Sequence, residues 1–126
     1  MSYNVGRPVE WLPLHKETSY MISRIWHGWT TPDKADEYEA LLKEEIFVGI
    51  LDRHVAGFQS IQLLRRQNGS VIEFVTIMLF ESLEAVREFA GKDYEAAYVP
   101  DKARAVLARF DERSQHYEVR AVRTGD

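Results

Sequence analysis

The sequence predicts one α+β domain with elements in the order β-α-β-β-α-β. Three observations support this: an apolar strand over residues 21–29, an Asn68-Gly69 pair between two β-rich segments, and amphipathic helical segments on either side of that hairpin. This order of elements gives the ferredoxin-like antiparallel sheet, with the first and third strands central and the second and fourth at the edges. A chain of 126 residues is long enough for one such domain and too short for two.

The first predicted strand, residues 21–29, mixes β-branched and aromatic residues, which is typical of a strand. Alternation places Arg24 and Trp26 on one face and His27 and Trp29 on the other. Because both faces are largely apolar, we expect this strand to lie in the centre of the sheet. Each face also carries one ionisable side chain beside an indole, so a small-molecule site should include this strand.

The first helix is predicted to start at Thr31-Pro32-Asp33, which offers a hydroxyl cap, a proline at the first helical position and an acid in the first turn. Apolar residues at three-to-four spacing extend it to about Glu45, and a continuation to Arg53 stays open because Gly49 weakens that half. Residues 46–51 are apolar all round. They are either a buried helix or a segment covered by a partner.

The hairpin is the clearest local signal in the chain. Strands are predicted over residues 58–66 and 71–80, and Asn68-Gly69 between them favours a type I′ turn, in which both central residues have positive φ. The remaining predicted elements are a helix capped by Ser82 and ended by Gly91, a helix started by Pro100, and a last strand over residues 115–122.

Around this domain, residues 20–122, we expect an irregular N-terminal arm over residues 1–19 and a frayed tail over residues 123–126. The arm carries aromatic residues, and it either packs on the domain or a second subunit or forms a free tail. Because two helix layers protect only one side of a sheet, the other side predicts a homodimer packed sheet on sheet.

Composition excludes several classes of function. The net charge of -4 and the pI of about 5.6 argue against a nucleic-acid partner. The absence of cysteine excludes disulfides and thiolate chemistry, and no apolar run approaches the roughly 20 residues that span a bilayer. We find no signal peptide, phosphate-binding loop or nucleophile elbow, and no convincing metal-ligand spacing within one element. A cytoplasmic protein without a metal or membrane partner is therefore expected.

Several short stretches occur in the order of the predicted elements: Ile22-Ser23-Arg24-Ile25-Trp26-His27-Gly28, Ala35-Asp36-Glu37-Tyr38, Gly57-Phe58, Leu64-Arg65-Arg66, Glu73-Phe74, Phe89-Ala90-Gly91 and His116-Tyr117-Glu118-Val119. Together they resemble the antibiotic-biosynthesis-monooxygenase-like group of the dimeric α/β-barrel superfamily, over roughly residues 20–120. The resemblance implies a dimeric α/β barrel, and an activity among cofactor-free monooxygenases, haem-degrading oxygenases and dehydratases. Haem-degrading members are described by an asparagine, a tryptophan and a histidine, and no asparagine occurs in the first strand here.

The resemblance therefore implies a cofactor-independent monooxygenase that binds an aromatic or polyketide-like substrate in a cavity between sheet and helices. Trp26 or Trp29 would stack on the substrate, and His27 or His116 would take its proton. Arg24 would hold the developing negative charge, while Tyr117 is a further aromatic candidate for substrate binding. No cofactor is implied.

Each candidate also has a structural interpretation. His27 could be a buried histidine paired with a carbonyl or with Glu73, and Arg24 could form an ion pair with Glu73 or Glu118. Trp26 and Trp29 point to opposite faces of a regular strand, so one of them should pack under the helices.

Other interpretations of the whole chain and of the remaining arginines also stay open. Arg65 and Arg66 are predicted to be solvated. The alternatives for the whole chain are a non-enzymatic ligand-binding dimer and a haem-binding protein with His27 or His116 as the iron ligand.

Overall fold

The computed structural model describes residues 20–125, so the arm predicted for residues 1–19 lies outside the described residues. The helices and strands in chain order are β1 (Ile22–Thr30), α1 (Pro32–Leu41), a π-helical segment (Leu42–Ile46), α2 (Phe47–Asp52), β2 (Phe58–Asn68), β3 (Val71–Phe80), α3 (Leu83–Ala90), α4 (Asp101–Val106), β4 (Arg109–Phe110) and β5 (Gln115–Glu118). Within residues 20–125, no helix has the length and apolar character needed to cross a membrane.

The five strands form one antiparallel sheet with β1 and β3 in the centre, as predicted. β3 pairs with β1 on one side and with β2 on the other. The second edge is shared, because β5 pairs with the first half of β1 and β4 with its second half. The last strand ends at Glu118 rather than at residue 122, and β4 was not predicted because two residues are too short to show a periodicity.

The first helical region is continuous from Pro32 to Asp52, so the longer of the two predicted extents is confirmed. Gly49 lies inside α2 and does not end it. Of the two alternatives for residues 46–51, the buried helix is wrong, since Val48 and Leu51 are 46% and 51% exposed, and cover by a partner stays a prediction. Thr31 precedes the helix as predicted, but its hydroxyl makes no capping hydrogen bond.

The predicted hairpin is confirmed, with its turn one residue later than expected. Asn68 pairs with Val71 as the last strand residue, so Gly69 and Ser70 are the central residues of the turn. Of these two residues, only Gly69 has a positive φ, at 65°, which is the pattern of a type II′ turn rather than of type I′. Ser82 caps α3 as predicted, its hydroxyl accepting the N–H of Ala85 at 3.2 Å.

The helices cover one face of the sheet and form two core clusters with it. One cluster surrounds Tyr38 and Phe74, whose rings meet edge to face with centroids 4.9 Å apart. The other surrounds Phe80, which packs between Phe58 and Phe89 at centroid distances of 5.6 and 5.4 Å. A cavity lies where the two clusters meet.

The opposite face of the sheet, called the open face below, belongs to neither cluster. Among the described residues its central apolar side chains are Ile25, Leu64, Val75, Ile77 and Leu79. This agrees with the expected uncovered face, and the sheet-on-sheet dimer stays a prediction.

Candidate functional site

The candidate site is the cavity of about 540 Å³ between the helix-covered face of the sheet and the helices. Its floor is formed by side chains of β1 and β3, its sides by α1, the π-helical segment and α2, and its far end by α3 and the connector before α4. Most lining groups are apolar. The charged lining residues among those described are Arg24, Glu45 and Arg53.

The π-helical segment forms part of the wall through Leu42, Glu45 and Ile46. A π-helical turn inserts extra backbone into a helix, and such turns are rare and concentrated at functional sites. Leu41 and Phe47 on either side keep ordinary helical dihedrals, so the widening is local. The sequence carries no signal for this feature, because the three-to-four spacing of apolar residues continues through it.

Arg24 is the central polar group of the cavity and is only 6% exposed. Its guanidinium donates to the carbonyl oxygen of Tyr94 and lies 3.0 Å from Nε2 of His116. The expected ion pair with Glu73 or Glu118 is wrong, since the described residues give Arg24 no carboxylate partner. Glu73 lies across the sheet and Glu118 pairs with Arg120 instead.

Burial without a compensating carboxylate lowers the pKa of Arg24 to about 10. The group stays charged at neutral pH, and the desolvation cost is offset only by neutral hydrogen-bond acceptors. A buried cation of this kind is a strong site for a ligand anion, because the anion restores the interaction that solvation would have provided.

His116 lies beside Arg24 because β5 places it directly opposite that residue in the sheet. Since the guanidinium can only donate, Nε2 of His116 is the acceptor and the network assigns the ring proton to Nδ1. Burial, and then the charge of Arg24, lowers the pKa of His116 to about 4. Nδ1 is buried and has no hydrogen-bond partner among the described residues. His116 is therefore a neutral group that orients Arg24 and a weak base at neutral pH.

Trp26 supplies an aromatic surface to the cavity. Its Nε1–H donates to the carbonyl oxygen of Asp111 at 2.7 Å, and its ring lies 6.2 Å from that of Phe110. The hydrogen bond fixes the indole while leaving ring surface for a ligand. Trp29 points to the open face, so the prediction that the two indoles lie on opposite faces is confirmed.

His27 and Trp29 form a separate group on the open face. Nδ1 of His27 lies 3.1 Å from Oε2 of Glu73, and the imidazole stacks on Trp29 with centroids 5.9 Å apart. Glu73 also binds Arg66 at 2.8 Å, and the hydrogen bonds from Arg66 and then His27 lower its pKa. Arg109 covers the other part of this group, with its guanidinium 3.7 Å from the Trp29 ring.

The structure thus divides the predicted site residues between two faces of the sheet. Arg24, Trp26 and His116 lie on the cavity side, and His27, Trp29 and Tyr117 lie on the open face. The pairing of His27 with Glu73 that the sequence suggested is present. Arg65 and Arg66 are exposed, as predicted, and Arg65 forms surface ion pairs with Asp36 and Glu39.

Arg53 and Phe89 are among the cavity residues that were not identified from the sequence. Phe89 sits at an apolar helix position and looked like ordinary core, and Arg53 follows a helix whose end was uncertain. Only the tertiary structure brings them together, with the guanidinium of Arg53 4.9 Å from the Phe89 ring. Residues 20–125 contain no cluster of three or more His, Asp or Glu side chains that could hold a metal ion.

Comparison with known proteins gives matches at the level of structure. No protein-family model and no curated protein matches the chain. Among solved structures, a candidate antibiotic biosynthesis monooxygenase from Bacillus cereus aligns with a TM-score of 0.58 and 17% identity, covering 84% of this chain and 99% of that one. SnoaB, a cofactor-independent oxygenase from Streptomyces nogalater, aligns with a TM-score of 0.52 and 17% identity over 83% and 96%.

The monooxygenase ActVA-Orf6 of Streptomyces coelicolor, solved with the ligand nanaomycin D, is also similar. It aligns with a TM-score of 0.57 and 15% identity, covering 86% of this chain and 94% of that one. At these identities the likeness establishes the fold, which confirms the predicted resemblance to antibiotic-biosynthesis-monooxygenase-like proteins at that level. The chain therefore has the α+β, ferredoxin-like fold that these monooxygenases share.

Proposed function

We propose that this protein is a cofactor-independent monooxygenase acting on a hydroxyaromatic or polyketide-like substrate bound in the cavity. The observation that carries the proposal is Arg24, a buried guanidinium without a carboxylate partner among the described residues, in the wall of an otherwise apolar cavity. A cavity of about 540 Å³ lies in the range typical of small-molecule sites. Monooxygenases of the same fold support the choice of reaction.

In the proposed reaction, Arg24 stabilises the substrate as its phenolate or enolate and so favours loss of the hydroxyl proton to solvent water. The electron-rich ring carbon then forms a bond to O₂, giving a peroxide that takes up one proton. Loss of the hydrogen on that carbon and cleavage of the O–O bond give a carbonyl and release water. One oxygen atom enters the product and the other becomes water, so no external reductant is needed.

The residues around Arg24 have supporting roles in this proposal. Trp26 provides the aromatic wall on which the substrate ring lies, and neutral His116 holds the guanidinium in place. The predicted base role of His27 finds no support in its position, since it lies across the sheet from the cavity. The predicted contacts of Trp29 and Tyr117 with substrate lack support for the same reason.

Oxygen uptake with anthrone tests this function, because anthrone and O₂ give anthraquinone and water with balanced atoms and electrons. We expect the protein to consume one O₂ per anthraquinone formed, without added cofactor. Arg24→Met should lose most of this activity, and Arg123→Met, at an exposed position outside the cavity, should keep it. Equal rates for Arg24→Met and the native protein would contradict the proposal.

A homodimer completes the proposal, with a second copy on the open face. The support is the run of apolar side chains across its three adjacent strands β2, β3 and β1, with Leu64 45% exposed. A contiguous apolar patch of this kind indicates an interaction surface, whereas single exposed apolar residues do not. Two copies packed through this face would form the dimeric barrel that the sequence resemblance implies.

Ligand binding without catalysis is the second candidate function. One observation favours it: the histidine nearest the cavity, His116, has a pKa lowered to about 4 and is a weak proton acceptor. Binding of anthrone without oxygen uptake would select this candidate. The positions of the two histidines do not support haem binding. Nε2 of His116 already accepts a hydrogen bond from Arg24, and His27 lies on the open face.

A further inference from the structure

We propose that the substrate is a hydroxyaryl carboxylate, whose carboxylate binds Arg53 at the cavity opening while its hydroxyl binds Arg24 inside. This inference rests on the proposed function for the position of the hydroxyl. Beyond that function, the inference specifies a second anionic group on the substrate, the carboxylate, and the residue that binds it, Arg53.

Arg53 has the position and the unused donors that this role requires. It follows the last residue of α2, lines the cavity and is exposed, so it lies where the cavity meets solvent. One guanidinium N–H donates to the carbonyl oxygen of Phe89 at 2.9 Å, and the guanidinium lies 4.9 Å from the Phe89 ring. No acidic side chain among residues 20–125 forms an ion pair with it. A guanidinium has five N–H donors, so a carboxylate can still be bound through two of them.

Phe89 links the two arginines across the cavity. The guanidinium of Arg24 lies 5.5 Å from the same ring that Arg53 contacts. The third charged lining residue, Glu45, binds Lys102 at 2.8 Å and so offers little to neutralise the two cations. Two like charges near one apolar cavity repel each other, and a ligand with two anionic groups would relieve that repulsion.

The difference in burial assigns one anionic group to each arginine. Arg24 is almost fully buried, which suits a group that must ionise during the reaction, since electrostatic stabilisation is strongest away from water. Arg53 is exposed, which suits a carboxylate that is already charged in solution and keeps part of its hydration. Apolar lining between the two arginines, including Phe89, Ala90 and Ile50, would contact the aromatic skeleton.

Binding of 6-hydroxy-2-naphthoic acid and of its methyl ester tests the inference, because the two ligands share the ring and the hydroxyl and differ in the charge of the carboxyl group and by one methyl group. We expect the native protein to bind the acid about three- to tenfold more tightly than the ester, with the preference weakening at high salt. Arg53→Gln should remove the preference, so that the acid and the ester bind with equal affinity. Arg53→Lys should keep part of the preference, since the charge is retained but the two parallel N–H donors are not.

Arg123→Gln is the matched control and should bind both ligands as the native protein does. Equal affinity of the native protein for acid and ester, or a preference that survives in Arg53→Gln, would overturn the inference. Oxygen uptake measured on the same samples with anthrone separates the two proposals. Acid preference without oxygen uptake would keep the carboxylate site and refute the monooxygenase, while oxygen uptake without acid preference would do the reverse.

Discussion

Replacing Arg24 with methionine should separate ligand binding from stability. Burial lowers the pKa of Arg24 to about 10 in the folded protein, well below the ordinary value of a guanidinium, which corresponds to about 3 kcal/mol of unfavourable free energy. Both values lie above neutral pH, so this cost is fully present at pH 7. Against it stand the hydrogen bonds to the Tyr94 carbonyl and to His116, each worth roughly 1–3 kcal/mol from a charged donor.

The two hydrogen bonds together contribute about 2–6 kcal/mol against a cost of about 3 kcal/mol, so the effect of Arg24→Met on the free energy of unfolding should lie between a gain of about 1 kcal/mol and a loss of about 3 kcal/mol. The affinity for an anionic ligand should fall as well. A hydrogen-bonded ion pair in a buried cavity contributes about 2–3 kcal/mol, which corresponds to a loss of affinity of roughly 30- to 150-fold.

Urea denaturation at pH 7 measures the first quantity, and fluorescence titration with 6-hydroxy-2-naphthoic acid measures the second. Arg123→Met serves as the control and should match the native protein in both assays. A variant that is destabilised by more than about 3 kcal/mol yet binds the ligand with native affinity would refute the role given to Arg24. In that case the guanidinium would be a structural group that joins β1 to the connector.

Three further predictions concern other parts of the molecule. Burial, and then the charge of Arg24, lowers the pKa of His116 from 6.5 to about 4 in the folded protein, so the unfolded chain binds the proton more tightly and stability should fall as the pH drops from 6.5 to 4. Melting temperatures measured across this range should therefore fall less in His116→Gln than in the native protein. Parallel curves for the two proteins would contradict the assignment. Gly57→Ala should destabilise the fold by about 2 kcal/mol or more, since φ of Gly57 is +86° and an added Cβ would lie 2.6 Å from the Cβ of Ala85. Gly49→Ala, inside α2, meets nothing within 4 Å and should stabilise the fold by about 0.5–1 kcal/mol. Urea denaturation should show changes of opposite sign in the free energy of unfolding of the two variants. Ile77→Asp in the centre of the open face should convert the proposed dimer into a monomer in sedimentation velocity. Lys34→Asp, at an exposed position of α1 on the other side of the sheet, is the control and should stay dimeric, and a monomeric native protein would refute the dimer.

The fold was predictable because each of its main elements leaves a local signature. Asn68-Gly69 marked the hairpin, Ser82 and Gly91 marked the ends of α3, and two apolar faces placed β1 in the centre of the sheet. The errors fall where local signals compete. The hairpin turn shifted by one residue because Asn68 could extend β2 while Gly69 alone supplied the positive φ.

The candidate site was only half predictable. Alternation in β1 correctly separated Arg24 and Trp26 from His27 and Trp29, but it could not say which face carries the cavity. The contact between Arg24 and His116 joins residues 92 positions apart and depends on the register of β5 against β1. The position of Arg53 depended on the helix continuing through the π-helical segment, which has no signature in the sequence.

The ionisation of bound 2-naphthol tests the central claim most directly, because it reports on the Arg24 cavity without requiring turnover. The phenolate form absorbs at longer wavelength than the phenol, so a pH titration of the bound ligand gives its pKa. Stabilisation by Arg24 should lower the pKa of bound naphthol by at least about one unit relative to free naphthol, and Arg24→Met should abolish that shift. A pKa that is unchanged or raised on binding, or a lowered pKa that persists in Arg24→Met, would contradict the claim that this cavity stabilises a substrate anion.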